Sequence, residues 1–261
     1  MAKLQLFQPS DAVEQDGYAG PCAASGSIRS KLLAPRDYPL WMCEATLAPG
    51  ARLIWDGRQG DEGIYLQRGA LQVGEQVCRA GGGLILEAGA RVEAEALEES
   101  VIFHTGAWQV AEPRGRLVHV IGADGWYRSP NRGGVVARWL ADSTCPTCNI
   151  TYFHAVGEAN GGSASAPHSH SADEIIHILE GHLFLGGRRF EAGASLCIPA
   201  DTRYKLSGGD EPFAYLNYRP ANATATRYID GKASEPEEGH ALALKATPTL
   251  DVIHLASATP A

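Results

Sequence analysis

The stretch DEIIHILEGHL, from Asp173 to Leu183, has a counterpart 112 residues earlier, where DEGIYLQRGAL runs from Asp61 to Leu71. Identities continue at this offset without a gap, pairing Gly74 with Gly186, Ala80 with Ala192, Gly81 with Gly193, Leu84 with Leu196, Ala88 with Ala200 and Arg91 with Arg203. A unit of this length, present in two copies, indicates a duplicated domain rather than a solenoid of many short repeats.

Short apolar runs alternate with turn residues in each copy. In the second copy these runs cover residues 175–179, 183–185, 196–198 and 213–217, and Gly, Pro or Asp separates them. Runs of this length between turn residues are typical of β-strands. The 30 glycines and 15 prolines of the chain favour the same interpretation. We therefore predict an all-β protein with two tandem barrels and short peripheral helices.

The repeat divides the 261-residue chain into five segments. We predict an N-terminal extension (1–36), a first barrel (37–112), a linker (113–134), a second barrel (135–220) and a C-terminal tail (221–261). We expect a short helix near 240–245 in the tail. The N-terminal extension would wrap around the other copy or a second subunit, and the sequence leaves both possibilities open.

The composition excludes some classes of partner. The net charge is -8 with only 22 Lys and Arg residues, so no basic stripe is available for a nucleic acid. The chain has neither the apolar run of a signal peptide nor a stretch long enough to cross a bilayer, so we expect no membrane partner and a cytoplasmic location. We expect the six cysteines to be reduced, with Cys145 and Cys148 as two loop thiols.

Two histidines and a glutamate in the second copy form a candidate metal site. His168 and His170 are two residues apart, so on an extended strand both side chains point to the same face. Glu174 follows four residues later and can reach that face from the next strand. Imidazole and carboxylate ligands suit a divalent first-row metal ion, and we expect Fe(II), with Mn(II), Ni(II) or Zn(II) as alternatives.

These residues resemble the first sequence motif of the cupin superfamily. That motif reads Gly, five residues, His-x-His, three or four residues, Glu, six residues, Gly. Gly162, His168, His170, Glu174 and Gly181 match every fixed position. Counting both copies, the resemblance covers roughly residues 40–107 and 149–219. It implies a two-domain cupin with jelly-roll β-barrels and a metal site inside the barrel.

The second cupin motif is degenerate in this chain. It normally reads Gly, five residues, Pro-x-Gly, two residues, His, three residues, Asn. Here Gly193 and Pro199 match, while Asp201 replaces the glycine, Tyr204 the histidine and Gly208 the asparagine. The family's fourth metal ligand is therefore missing. Since cupins include dioxygenases, decarboxylases, isomerases, lyases, storage proteins and sensors, the resemblance does not decide the reaction.

Tyr204 and His154 are the candidates to complete the site. Tyr204 could be a phenolate ligand, a hydrogen-bond donor to a bound molecule, or a filler residue, and we favour the donor. Alternation on the preceding strand places His154 on one face with Tyr152; if that face is interior, His154 could be the fourth ligand or a general base. His177 should face away from the site, and His182 should be exposed at a turn.

The first copy has lost the histidines. At the 112-residue offset, Asp56 stands for His168 and Arg58 for His170, and only Glu62 is retained, in the place of Glu174. We expect an ion pair between Arg58 and Glu62 to fill the vacated site. The first barrel would then be structural or dimerising. The alternative is a pocket in which Arg58 holds an anionic ligand.

These observations lead to a metal-dependent enzyme that acts on a small organic molecule in its second barrel. Three protein ligands leave room for a substrate and dioxygen, so we expect a dioxygenase-type oxidoreductase that assembles as a homodimer. The alternatives are a non-redox isomerase or lyase with Tyr204 as proton donor, and a cupin that binds a small molecule without turnover.

Overall fold

The computed structural model describes residues 4–110, 112, 115–124, 127–128, 135–141, 147–159, 165–220, 226–228, 233–234 and 251–253. Nearly all of its regular structure is strand, as predicted. Within these ranges the helical element is a single 3-10 turn at Pro9–Asp11, and no helix there is long and apolar enough to cross a membrane. The short helix predicted near 240–245 falls outside the described residues.

Thirteen strands belong to the N-terminal half of the chain. In order they are β1 (Gln5–Phe7), β2 (Gln15–Asp16), β3 (Ala23–Ser25), β4 (Ile28–Leu32), β5 (Leu40–Leu47), β6 (Arg52–Asp56), β7 (Glu62–Arg68), β8 (Ala70–Val73), β9 (Gln76–Arg79), β10 (Gly83–Leu86), β11 (Arg91–Ala96), β12 (Ser100–Ala107) and β13 (Val118–Ile121).

Thirteen more follow in the C-terminal half. They are β14 (Tyr127–Arg128), β15 (Val135–Ala141), β16 (Thr151–Gly157), β17 (His168–His170), β18 (Glu174–Glu180), β19 (His182–Leu185), β20 (Arg188–Glu191), β21 (Ser195–Ile198), β22 (Leu206–Gly208), β23 (Phe213–Arg219), β24 (Thr226–Tyr228), β25 (Ala233–Ser234) and β26 (Asp251–Ile253).

The two repeated units have the same central sheet. In the first barrel the order β5-β12-β7-β10 lies within an eight-stranded sheet, and in the second barrel the order β16-β23-β18-β21 lies within a seven-stranded one. A five-stranded sheet, β3-β6-β11-β8-β9, completes the first barrel, and a three-stranded sheet, β20-β19-β22, lies at the corresponding place in the second. Neighbouring strands are antiparallel throughout these sheets.

The 112-residue offset is a structural repeat as well as a sequence repeat. Strands β7 to β10 recur as β18 to β21 with every boundary shifted by this number. Side-chain contacts recur too: the Ala88 backbone N–H donates to Asp61 Oδ1 at 2.6 Å, and the Ala200 backbone N–H donates to Asp173 Oδ1 at 2.9 Å. The ungapped register therefore reflects two copies of one fold.

The core consists of three clusters, one inside each barrel and one between them. Consecutive residues of a strand point to opposite faces, so Ile176 packs inside the second barrel while Ile175 packs between the barrels. The cluster between the barrels combines residues of both units, including Leu40, Met42, Tyr65 and Phe103 from the first and Tyr152, Leu216 and Tyr218 from the second. The central strands are apolar on both faces because both faces are covered.

The N-terminal extension contributes strands to both barrels. Strand β1 pairs with β21 at the edge of the second barrel, whereas β4 pairs with β5 of the first. Strand β13 lies in the segment that composition predicts to be a linker, yet it pairs with β10 of the first barrel. Its sequence, Val118-His-Val-Ile121, is an apolar run of strand length, which is a stronger signal than the glycines and prolines around it.

The cysteines follow the prediction only in part. Cys22, Cys43, Cys78 and Cys197 are free. Cys148 is disulfide-bonded, so the expectation of a reduced thiol is wrong for this residue. Cys145 lies outside the described residues.

Candidate active site in the second barrel

The three predicted metal ligands lie together in the second barrel. Strand β17 carries His168 and His170, and Glu174 is the first residue of β18. All three side chains are buried, and Glu174 is only 1% exposed. The imidazole rings of His168 and His170 lie 4.9 Å apart between centroids. The three side chains therefore lie in one region of the interior, and their role as metal ligands stays a prediction.

Tyr204 is held beside β17 by backbone hydrogen bonds. The N–H of His168 donates to the carbonyl of Tyr204, and the N–H of Tyr204 donates to the carbonyl of His168, both at 2.9 Å. Asp201 precedes this bridge with φ of 59°, in the left-handed region that favours glycine. The second cupin motif has a glycine at this position, and Asp201 adopts a backbone conformation that glycine favours.

Glu174 is the centre of the hydrogen-bond network. Its Oε2 accepts a hydrogen bond from the Tyr204 hydroxyl at 2.6 Å, and its Oε1 accepts from Asn217 Nδ2 at 2.6 Å and from Arg219 Nη1 at 3.0 Å. Burial alone would raise the pKa of Glu174. The positive charge of Arg219 and the hydrogen bonds from Tyr204 and Asn217 counteract burial, and the pKa of this carboxyl lies below its ordinary value.

Arg219 brings a cation between two of the predicted metal ligands. Its Nη1 lies 2.9 Å from Nε2 of His170 as well as 3.0 Å from Oε1 of Glu174. Burial, followed by the charge of Arg219, lowers the pKa of His170 to about 3, so this imidazole is neutral. A guanidinium can only donate, so Nε2 of His170 is the acceptor.

Tyr204 donates a hydrogen bond within this site. Burial and the neighbouring Glu174 carboxylate raise the pKa of Tyr204 well above its ordinary value, which favours the phenol form in this structure. Its proton is directed at Glu174. Tyr204 therefore acts here as a donor that orients the central carboxylate.

His154 does not face this cluster. In the pairing of β16 with β23 it lies opposite Leu216, whereas its neighbour Phe153 lies opposite Asn217. The His154 ring stacks on Tyr65 of the first barrel with centroids 5.0 Å apart. Alternation correctly grouped His154 with Tyr152, but the shared face is the one between the barrels, so the expected approach to the metal site is wrong.

Of the two other histidines in the second barrel, one lies where it was predicted and one does not. His177 faces away from the site, as predicted, and its Nδ1 lies 2.9 Å from Ser195 Oγ. His182 was expected to be exposed but is fully buried, with Asp210 and Glu211 within 4 Å of its ring nitrogens. Its strand packs beneath the loop that carries these two carboxylates, which sequence position alone does not reveal.

The donor set fits a divalent metal ion in its chemistry. His168 donates from Nδ1 to the Ala166 carbonyl at 2.7 Å, which in the neutral imidazole leaves the lone pair on Nε2. His170 is neutral and Glu174 is ionised, as metal ligands must be. A positive group, Arg219 Nη1, already stands between these last two. Among the described residues, no three His, Cys, Asp or Glu side chains are arranged to hold a metal ion. Because Arg219 Nη1 contacts both His170 and Glu174, a metal ion bound by these two residues would have to displace it.

Sequence reasoning missed Asn217 and Arg219. Both lie on β23, whose sequence from Phe213 to Arg219 is mostly apolar. They are two residues apart and share the inward face with Tyr215. Two polar residues at alternate positions of an otherwise apolar strand were the available signal, because an inward polar side chain requires a buried partner.

The first barrel keeps its glutamate but not the predicted ion pair. Glu62 Oε2 accepts from Trp55 Nε1 at 2.7 Å and lies 2.9 Å from His104 Nε2. Arg58 instead pairs with Asp56 at 3.4 Å, and its side chain is 90% exposed. The expected contact between Arg58 and Glu62 is therefore wrong. The loop after β6 carries Arg58 outward to solvent, which the repeat register could not show.

The chain was compared with known proteins. No family model matches it, and no curated protein sequence does. Among solved structures, the oxalate decarboxylase of Lactobacillus farciminis in complex with formate aligns with a TM-score of 0.66 and 14% identity, over 88% of this chain and 89% of that one. A mutant of Bacillus subtilis oxalate decarboxylase aligns with a TM-score of 0.64 and 14% identity, over 86% and 79%.

A further structure of the Bacillus subtilis enzyme, from work on its Mn(II) centres, aligns with a TM-score of 0.63 and 16% identity, over 86% of this chain and 79% of that one. Identities this low show the fold and not the activity. Together with the repeated sheets, they establish that this chain has the cupin β-barrel fold.

Proposed function

We propose that this protein is a metal-dependent cupin enzyme that acts on a small organic molecule in its second barrel. His168, His170 and Glu174 would hold the metal ion. The observation that carries the proposal is the cation position between His170 Nε2 and Glu174 Oε1, which Arg219 Nη1 occupies. A site that stabilises one positive group between a neutral imidazole and a carboxylate offers the same ligands to a divalent ion.

A bound divalent ion would supply Lewis-acid or redox chemistry at this position. The protein's own residues provide the positioning. Tyr204 and Asn217 donate to different oxygens of Glu174 and fix the carboxylate plane. The buried surroundings exclude bulk water, which strengthens every electrostatic interaction in the site.

Two buried polar atoms support a polar substrate in the same interior. Within the described residues, Arg219 Nε and Asn217 Oδ1 have no hydrogen-bond partner. A buried donor or acceptor without a partner costs about 1–3 kcal/mol, so a molecule that satisfies both would be favoured. A guanidinium matches the geometry of a carboxylate. We therefore propose, as the substrate class, a small organic acid that also carries a hydrogen-bond donor, so that its carboxylate accepts from Arg219 Nε and its donor reaches Asn217 Oδ1.

For the reaction we propose oxygenation, with a non-redox decarboxylase or lyase as the alternative. With the Tyr204 hydroxyl donating to Glu174, the set would comprise three protein ligands and would leave more than one coordination position for reactants. The similarity to structures of oxalate decarboxylase, one of them from work on Mn(II) centres, supports the alternative and Mn(II). We keep Fe(II) as the proposed ion for oxygenation and the homodimer as the proposed assembly.

Elemental analysis of the purified protein tests the metal site. We expect about one divalent ion per chain in the wild type, and its loss in His170→Asn. The matched control is His177→Asn, which removes a buried histidine of β18 that faces away from the site. The metal content of this variant should equal that of the wild type. A well-folded wild type that takes up neither Fe(II) nor Mn(II) would refute the proposal. A second measurement, of oxygen uptake in the presence of an organic acid, distinguishes the two reactions. Oxygenation consumes oxygen, whereas the non-redox alternative continues in its absence.

A further inference from the structure

The first barrel contains a cavity of about 390 Å³ beneath an opening lined by Trp108 and Val110. Glu62 lies on its wall and is only 2% exposed. The volume falls within the range of small-molecule sites in proteins. This cavity is separate from the cluster around Glu174, which belongs to the other barrel.

Only one of the two carboxylate oxygens of Glu62 has hydrogen-bond partners among the described residues. Trp55 and His104 both contact Oε2. No hydrogen bond within the described residues reaches Oε1, and Glu62 is not among the residues that have further contacts. A carboxylate oxygen accepts up to two hydrogen bonds, so Oε1 presents its acceptor capacity to the cavity.

The charge of this carboxylate also lacks a cationic side chain. Glu174 is paired with Arg219, whereas among the described ion pairs Glu62 has only His104. Arg58 and Asp56 line the cavity near solvent and pair with each other. The inner wall of the cavity therefore carries a carboxylate without a lysine or arginine partner, whereas Asp56 and Arg58 near solvent carry opposite charges.

Aromatic side chains form part of the wall. Trp55 and Trp108 both line the cavity, and Trp108 is 37% exposed although it is large and apolar. Indole rings attract cations through their faces and pack against apolar groups. A buried carboxylate next to indole rings favours a cation with an apolar body over an anion.

We propose that the first barrel is a second binding site, which takes a small organic amine whose ammonium group donates to Glu62 Oε1 and whose apolar body packs against Trp55 and Trp108. The duplication has then produced two sites of different character: in the second barrel an arginine meets the central glutamate, and in the first barrel a ligand does. This inference does not depend on the proposed metal site.

The test is isothermal titration calorimetry of the full-length protein with three probes of similar shape. 2-Phenylethylamine carries the ammonium group, 2-phenylethanol replaces it by a neutral donor, and 3-phenylpropionate carries an anion. We expect the amine to bind at least about tenfold more tightly than the alcohol, since both can donate to the carboxylate but only the amine adds the attraction of opposite charges. The anion should not bind at this site.

Two variants locate the site. Glu62→Gln keeps an acceptor for Trp55 and His104 but removes the charge, and it should lose the preference for the amine. Trp108→Ala changes a partly exposed side chain at the mouth, so it should fold normally and bind the amine several-fold more weakly. The Trp108→Ala variant therefore still tests the site if Glu62→Gln fails to fold.

Four results would overturn the inference. They are equal affinity for the amine and the alcohol, tighter binding of 3-phenylpropionate that Arg58→Met abolishes, absence of binding by all three probes, and amine binding that survives Glu62→Gln but is lost in Glu174→Gln. The last result would place the amine in the second barrel.

Discussion

Replacement of Arg219 by methionine removes the cation from the second barrel while keeping an unbranched side chain of similar length. The Arg219 side chain is 10% exposed and that of Glu174 is 1% exposed, so the carboxylate would remain buried with only Tyr204 and Asn217 as donors. Breaking a buried ion pair by removing one partner costs about 3–5 kcal/mol. We expect Arg219→Met to lower the free energy of unfolding by an amount in this range at neutral pH.

The loss should depend on pH in a definite direction. In the wild type the pKa of Glu174 is lowered, so the stability it contributes is present above the pKa of the unfolded state and is lost as the pH falls through the folded pKa. Without Arg219 the effect of burial is no longer outweighed to the same extent, and the pKa of Glu174 should rise. Protonation then relieves the unpaired charge, so the difference between variant and wild type should shrink as the pH is lowered.

Urea unfolding followed by circular dichroism, at several pH values, measures both effects. Arg189→Met is the matched control, because Arg189 forms a surface pair with Glu191 and is 48% exposed; its replacement should change the free energy of unfolding far less than Arg219→Met does. If the site binds metal as proposed, Mn(II) should raise the midpoint of thermal unfolding more in Arg219→Met than in the wild type. A cost below about 1 kcal/mol that does not vary with pH would refute the account of Arg219 as the partner of a buried charge.

Three further outcomes are expected. Tyr204→Phe removes a charge-assisted hydrogen bond to Glu174 and should cost about 1.5–3 kcal/mol in urea unfolding; no loss would show that Glu174 does not need this donor. Gly181→Ala should lower the midpoint of thermal unfolding far more than Gly186→Ala. Both glycines have positive φ, but only at Gly181 would an added Cβ meet the backbone, 2.2 Å from a carbonyl oxygen. Equal midpoints for the two variants would contradict this steric argument. His177, whose pKa burial lowers to about 3, takes up a proton on unfolding, so stability should fall as the pH drops below about 6.5, and the fall should be shallower in His177→Asn.

Local patterns in the sequence predicted the parts of the fold that depend on local physics. Residues two apart on a strand share a face, so His168 and His170 had to point the same way. The repeat register predicted that Glu62 and Glu174 begin equivalent strands, and they do. Turn positions were also readable: Gly69 and Gly181 are equivalent and both have positive φ.

Periodicity could not say which of two faces is the interior of a barrel. His154 and Tyr152 share a face, as alternation requires, but that face lies between the barrels because both faces of the central sheets are covered. An apolar strand that is buried on both sides carries no polar face to mark the difference. Periodicity also could not predict the path of the loop after β6, which turns Arg58 to solvent.

The duplication, the strand-rich class and the shared face of His168 and His170 could be predicted from sequence, because each depends on spacing along the chain. The partners of the central glutamate in each barrel became known only from the folded structure. Arg219 is 45 residues from Glu174, and His104 is 42 residues from Glu62. Such partners depend on which strands become neighbours in the barrel and on where the remaining space and charge lie.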